Sequence, residues 1–178
     1  FLGCIRGCRF CQAGYCYRPV RPKSVDLLVK QGIESCKDSG YQEMTLSSLS
    51  TSDYRPLTEL CDGLLEYCDP RNININLPSL RADGFSMGIM QRLQRVRKTS
   101  ITFAPEAGTQ RMRDTINKNV KEEDLLQSCR TAFEGGCNAV KLYFMLGLPT
   151  ETDEDVIGIA RLAEKVYWTW KNYAVNKS

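Results

Sequence analysis

The sequence contains no histidine. Without an imidazole, Ser-His-Asp and Cys-His catalysis are excluded within this stretch, as is any zinc or haem centre that needs a histidine ligand. No apolar run approaches the ~20 residues of a membrane span and no tract is of low complexity, so the chain reads as soluble, cytoplasmic and without a membrane partner. The first residue is Phe1 and no charged-then-apolar leader follows it, so secretion is not expected. The chain reads as cut from something longer. No acidic residue precedes Asp26, whereas Arg6, Arg9, Arg18, Arg21 and Lys23 do. The modest net charge of +3 is therefore local at the N-terminal end, where it can offset an anionic thiolate centre and a cofactor carboxylate, or meet a phosphate-bearing partner.

At 178 residues the chain suits a single domain, 1–178. Cysteine is what it has in excess, with nine residues in two groups. Cys36, Cys61, Cys68 and Cys129 fall on helical apolar stripes, where a reduced cysteine acts as a small buried hydrophobe, and Cys137 at the entry to an apolar strand reads the same way. Cys4, Cys8, Cys11 and Cys16 instead crowd into a glycine- and arginine-rich stretch with no helical stripe to account for them. Those are ligand candidates.

Periodicity organises the remainder. Val25, Leu28, Val29, Ile33 and Cys36 predict a helix over about 22–38 that ends at Gly40, and Tyr41 to Leu49 predicts a buried strand. Leu57, Leu60, Cys61, Leu64, Leu65 and Cys68 form a second stripe. Asn72 to Leu77 alternates amide and aliphatic residues, so one strand face is apolar and the other can line a polar lumen. A helix over Phe85 to Val96, a strand over Ser100 to Ala104 and a helix over Glu122 to Phe133 follow. Ala139 to Leu146 predicts a strand apolar on both faces, and Val156, Ile159, Ala160, Ala163 and Tyr167 predict the buried stripe of a last helix. Strands alternating with helices indicate α/β architecture with a parallel sheet and right-handed crossovers, five strands at most if Phe1-Leu2 is the stump of a first. In such folds chemistry collects where strands end and helices begin.

Cys4, Cys8 and Cys11 have the spacing C-x3-C-x2-C. Three thiolates so close can hold three irons of one cubane while the fourth stays open to a ligand. A structural zinc site wants four protein ligands, and a closed ferredoxin-type cluster wants four cysteines. Counting Cys16 as a fourth ligand would close the site, and the chain would then be a noncatalytic iron-sulfur electron carrier or a metal-stabilised binding module. An unrelated α/β enzyme with an incidental cysteine loop is the other alternative.

This motif, with an aromatic before the last cysteine and at the head of a βα series, resembles the radical SAM superfamily. The stretch CIRGCRFCQAGYCYRPVRPKS and the runs LSSLSTSDYRPL, TFAPEAGTQRMRDTINKNV and KLYFMLGLPTETDEDV are similar to one uncharacterised branch, whose members carry an N-terminal cobalamin-binding-like domain and have relatives among the tRNA methylthiotransferases. The resemblance implies a partial (βα)6 barrel truncated at both ends, and a 4Fe-4S cluster held by Cys4, Cys8 and Cys11. It implies that S-adenosyl-L-methionine is cleaved reductively to a deoxyadenosyl radical that abstracts hydrogen from a substrate, with RNA one candidate. An electron donor for the cluster is implied as a partner, and cobalamin as a cofactor of a domain outside this chain. It further implies that Phe10 packs near the adenine. Ser48, Ser50 and Thr51 stand where the superfamily often has a glycine-rich stretch touching the methionine amino group, and here hydroxyls replace the usual GGE-like residues. Glu106 and Arg111 become candidates for the ribose hydroxyls and the methionine carboxylate, and Met145, Leu146 and Gly147 for adenine packing. Structural roles stay open beside these: loop anchor for Phe10, an ion pair for Glu106 with Arg111, core packing for Met145 to Gly147.

Overall fold

The computed structural model describes residues 2–77, 81–82, 88 and 101–175. Two parallel strand pairs carry the architecture, each with its own helices. In the first half, α1 (Ala13–Cys16) follows the cysteine loop, then come α2 (Val25–Ser39), β1 (Glu43–Thr45), α3 (Leu57–Cys68) and β2 (Asn74–Asn76). The second half holds β3 (Ile101–Glu106), α4 (Gln110–Thr115), α5 (Glu122–Glu134), β4 (Val140–Phe144) and α6 (Asp153–Tyr173). β1 pairs in parallel with β2, and β3 with β4. Among the described residues the sheets are thus two short parallel pairs, not one run of five strands. Leu2 makes an isolated antiparallel bridge to Arg21, so the described part of the Phe1-Leu2 stump closes the cysteine loop on itself. The helix expected over Phe85 to Val96 lies, apart from Gly88, outside the described residues.

The helices form where their apolar stripes find a strand to cover. On α3, Leu57, Leu60, Cys61, Leu64, Leu65 and Cys68 are all buried, and they share a core with Cys36 of α2 and with Ile73 and Ile75 around β2. α2 stops at Gly40, whose φ of 69° is the left-handed geometry that glycine adopts without Cβ strain. The alternate residues Asn74 and Asn76 turn to the other face of β2, where Asn74 Nδ2 donates to Asn76 Oδ1 and Asn76 Nδ2 to Glu43 Oε1 of β1. The second core joins Ile101 and Phe103 of β3 to Leu125, Cys129, Ala132 and Phe133 of α5 and to Leu162 and Val166 of α6.

α6 buries a different face from the one its apolar residues predict. Asp155, Gly158, Leu162 and Val166 point inward, while Val156, Ala160, Ala163 and Tyr167 of the expected stripe are exposed and Ile159 is half-buried. The cause is a close backbone approach: a Cβ on Gly108, just after β3, would stand 2.2 Å from the Ile159 nitrogen and 2.4 Å from the Gly158 carbonyl carbon. Asp155 is buried because it is satisfied there. Its carboxylate caps α6 by accepting from Thr152 N at 2.9 Å and Thr152 Oγ1 at 2.7 Å, and it also accepts from Thr109 Oγ1 and Arg111 Nη2. Hydrogen bonds from Arg111 and Thr109, then from Thr152, outweigh desolvation and hold its pKa well below the usual aspartate range.

Two outcomes follow from this contact. Gly108→Ala must push α6 off β3, and overpacking of this kind costs about 1–3 kcal/mol, read as a lower urea midpoint. Because folding favours ionised Asp155, the stability it supplies is present above the ordinary aspartate pKa of ~3.9 and is lost as pH falls through the lower folded value. Asp155→Asn should therefore be less stable at neutral pH and should lose less stability than the parent between about pH 5 and pH 2, measured by thermal unfolding.

Candidate functional site

The cysteine loop has little regular structure of its own, so its shape depends on what it bonds to. Arg9 N donates to the Ile116 carbonyl at 2.9 Å, Arg9 Nη1 to the Thr115 carbonyl, and Asn117 Nδ2 to the Gly7 carbonyl at 2.7 Å. These bonds pin the loop to the end of α4. On its other side Arg6 grips Asp53, in the 3-10 turn Thr51–Asp53 after β1, with Nε to Oδ2 at 2.9 Å and Nη2 to Oδ1 at 2.5 Å. Arg81 closes the circuit, donating its amide to Ser52 Oγ at 2.8 Å and its guanidinium to the Lys118 carbonyl at 3.0 Å.

The loops so joined enclose a cavity of about 300 Å³. Cys4, Cys8 and Cys11 line it together with Phe10, Ser50 and Glu106, all of which the sequence marks as site residues. Arg6, Leu49, Arg81, Thr102, Ala104 and Lys118 complete the wall. Strand alternation could have supplied Thr102 and Ala104, which share the face of Glu106 before the bulge. Lys118, twelve positions past Glu106, carried no local signal. Its Nζ pairs with Glu106 Oε1 at 3.0 Å, with side-chain exposures of 12% and 16%, and lies 5.8 Å from the Phe10 ring centroid. Glu106 itself has φ 69°, strained for a residue with a Cβ. Strain of this kind costs about 1–3 kcal/mol and persists where surrounding bonds over-determine it. Here Met145 N donates to the Glu106 carbonyl at 2.8 Å. The next turn is fixed by Arg113, a fully buried guanidinium that donates to the carbonyls of Ala107, Gly108 and Val120 at 3.0, 3.2 and 3.1 Å.

Asp53 shows the electrostatics of the wall. Burial alone would raise its pKa, but hydrogen bonds from Arg6 and Ser50 and the charges of Arg6 and Arg81 together lower it below the ordinary aspartate value. The carboxylate is thus committed to Arg6 as an anion.

Other residues marked by the sequence lie elsewhere. Ser48 and Thr51 line a separate cavity of about 400 Å³ between α2, β1 and α3, their hydroxyls 3.0 Å apart. Arg111 is half exposed and engages Asp155 and the Thr150 carbonyl. Met145 packs against Ala107, Met112, Ile116 and Leu148, Leu146 is 69% exposed, and Gly147, at φ 77°, donates to Glu151 Oε2. Cys16 is exposed at the end of α1 and is not part of the cavity wall.

Residues 1–163, which span the cysteine loop and every strand, match the Radical SAM superfamily. The chain belongs to that superfamily. It is 38% identical over 164 residues to an uncharacterised protein of Methanocaldococcus jannaschii, a match that covers 92% of this chain and 35% of the relative, so the chain spans about a third of that protein's length. Superfamily members use a 4Fe-4S cluster with S-adenosyl-L-methionine, and the cavity described above is where this chain gathers its free loop thiols. No helix among the described residues is long and apolar enough to cross a membrane.

The remaining cysteines are packing residues. Cys36, Cys61, Cys68, Cys129 and Cys137 are buried, and burial pushes the Cys129 thiol up to about 12 and the Cys68 thiol up to about 11. Since the thiolate is the reactive form, alkylation of the native apoprotein at pH 8 should modify Cys16 first and leave Cys61, Cys68 and Cys129 untouched until denaturant is added. Peptide mapping by mass spectrometry reads this order.

Proposed function

We propose that the chain is the core of a radical SAM enzyme, a partial barrel whose Cys4, Cys8 and Cys11 hold a 4Fe-4S cluster with one iron left for S-adenosyl-L-methionine. The observation that carries this reading is that these three thiols border one cavity while the fourth loop thiol, Cys16, stands outside it. Among the described residues no three Cys, Asp or Glu side chains already meet around a single metal ion. In a 4Fe-4S cluster each thiolate takes a different iron. A cluster held by Cys4, Cys8 and Cys11 would supply the electron for reductive cleavage of S-adenosyl-L-methionine and hence radical chemistry on the substrate.

The chain's own residues bind, orient and shield. Phe10 offers a ring to the adenine, and Ser50 and Glu106 offer hydrogen-bond acceptors to the amino group and ribose hydroxyls. Lys118, inside the wall, is better placed than Arg111 to meet the methionine carboxylate, because Arg111 is held by Asp155 outside it. Met145 supports Glu106 through its backbone. An anionic substrate such as RNA is favoured by Arg9, Arg18, Arg21 and Lys23, which are exposed and in no ion pair among the described residues.

Anaerobic reconstitution tests the assignment. Cys4→Ala, Cys8→Ala and Cys11→Ala should each abolish a stable four-iron cluster, whereas Cys16→Ser should keep it and should still change its visible and EPR spectra on adding S-adenosyl-L-methionine. Loss of iron from Cys16→Ser to the same extent would favour the closed-site electron carrier instead.

A further inference from the structure

Arg6 occupies a spacer position between two of the cavity thiols, Cys4 and Cys8. It is the most tightly engaged side chain of the loop. Its two donors meet both oxygens of Asp53, a fork-to-fork pair that fixes direction as well as distance. The side chains are 29% and 8% exposed, so water screens this pair less than the surface pairs of α5 and α6. Ser50 Oγ donates to the same carboxylate at 2.7 Å, which holds the anion in place from behind.

The pair is also oriented. Arg6 lines the cavity with Cys4, Cys8 and Cys11, whereas Asp53 does not and borders a different depression beside Pro22 and Tyr54. The cationic partner of the pair thus belongs to the wall of the thiol cavity and the anionic partner does not. Charges and hydrogen bonds near the thiolates are among the levers that set an iron-sulfur potential. A fixed dipole with its cation toward the cluster favours the extra electron of the reduced state.

We propose that the Arg6–Asp53 pair tunes the reduction potential of the cluster, beyond positioning the loop, with Asp53 limiting how strongly Arg6 acts. This rests on the reading that Cys4, Cys8 and Cys11 hold that cluster. Arg6 and Asp53 are positioning and tuning residues here, since neither touches iron.

Potentiometric titration of the anaerobically reconstituted protein, followed by EPR at pH 8 so that a carboxylate stays ionised, tests it. Asp53→Asn removes the carboxylate charge from beside Arg6 and should raise the midpoint. Arg6→Met removes the cation while Asp53 stays ionised and should lower it. The double variant Arg6→Met/Asp53→Asn should fall between Arg6→Met and the parent, and Arg6→Lys, which keeps the charge but not the fork, should stay near the parent. Iron is counted for every sample. Full iron with midpoints that all coincide overturns the proposal, as does an Arg6→Lys shift equal to that of Arg6→Met. Should the single variants fail to hold iron, the neutral double variant decides alone: a midpoint below the parent's supports the tuning, and an equal one overturns it. Failure of the cluster assignment itself shows separately, as iron retained when Cys4, Cys8 or Cys11 is removed.

Discussion

Backbone polar groups that are not in a helix or strand must be satisfied somewhere, and for the cysteine loop that place is other loops. The Gly7 carbonyl is taken by Asn117, the Arg9 amide by the Ile116 carbonyl, and the Arg6 guanidinium reaches Asp53. These bonds connect segments up to 110 residues apart in sequence. The thiols keep their common cavity only while both halves of the molecule keep their places, and each half has its own apolar core to ensure that. The site is thus a junction, and the strand pairs are what hold its sides apart.

Glu106 illustrates how the packing is converted into chemistry. A left-handed glutamate at a strand end is unfavourable in isolation. Arg113 stabilises the turn behind it by giving its donors to three carbonyls, and Gly108 lets α6 close over that turn without a Cβ in the way. With the backbone so constrained, the Glu106 side chain has one direction left, toward Lys118 and the cavity. A buried arginine bonded to carbonyl oxygens rather than to a carboxylate among the described residues is a costly device, and those carbonyl dipoles are what make it tolerable.

Much of this was legible before any coordinates. The stripe of α3, the parallel strands and the separation of packing cysteines from loop cysteines follow from spacing alone, because each reports burial of one face. The last helix was legible as a helix, but the face it buries was not. Its residues Val156, Ala160, Ala163 and Tyr167 make the more apolar stripe, yet the buried one contains a carboxylate and a glycine. Periodicity scores side chains by hydrophobicity, and it has no means of seeing that Arg111, Thr109 and Thr152 satisfy Asp155 or that two backbones touch at Gly158. The Asp155 partner of Arg111 was not legible for the same reason: it lies 44 residues away. Lys118 and the Asp53 partner of Arg6 were hidden because spacing names the ligands of a loop and says nothing of what distant segments bring to it.

The division of the cysteines has a bearing on assembly fidelity. A nascent iron-sulfur protein meets ferrous iron and sulfide while every thiol is a potential competitor. In the folded chain five of the nine are sealed between helices and strands, and at least Cys68 and Cys129 are kept protonated there, so they offer nothing to iron. The pool that can capture metal shrinks to the loop. On the proposed cluster assignment, folding before loading would act as a proofreading step, because it would leave the loop thiols as the ones open to metal.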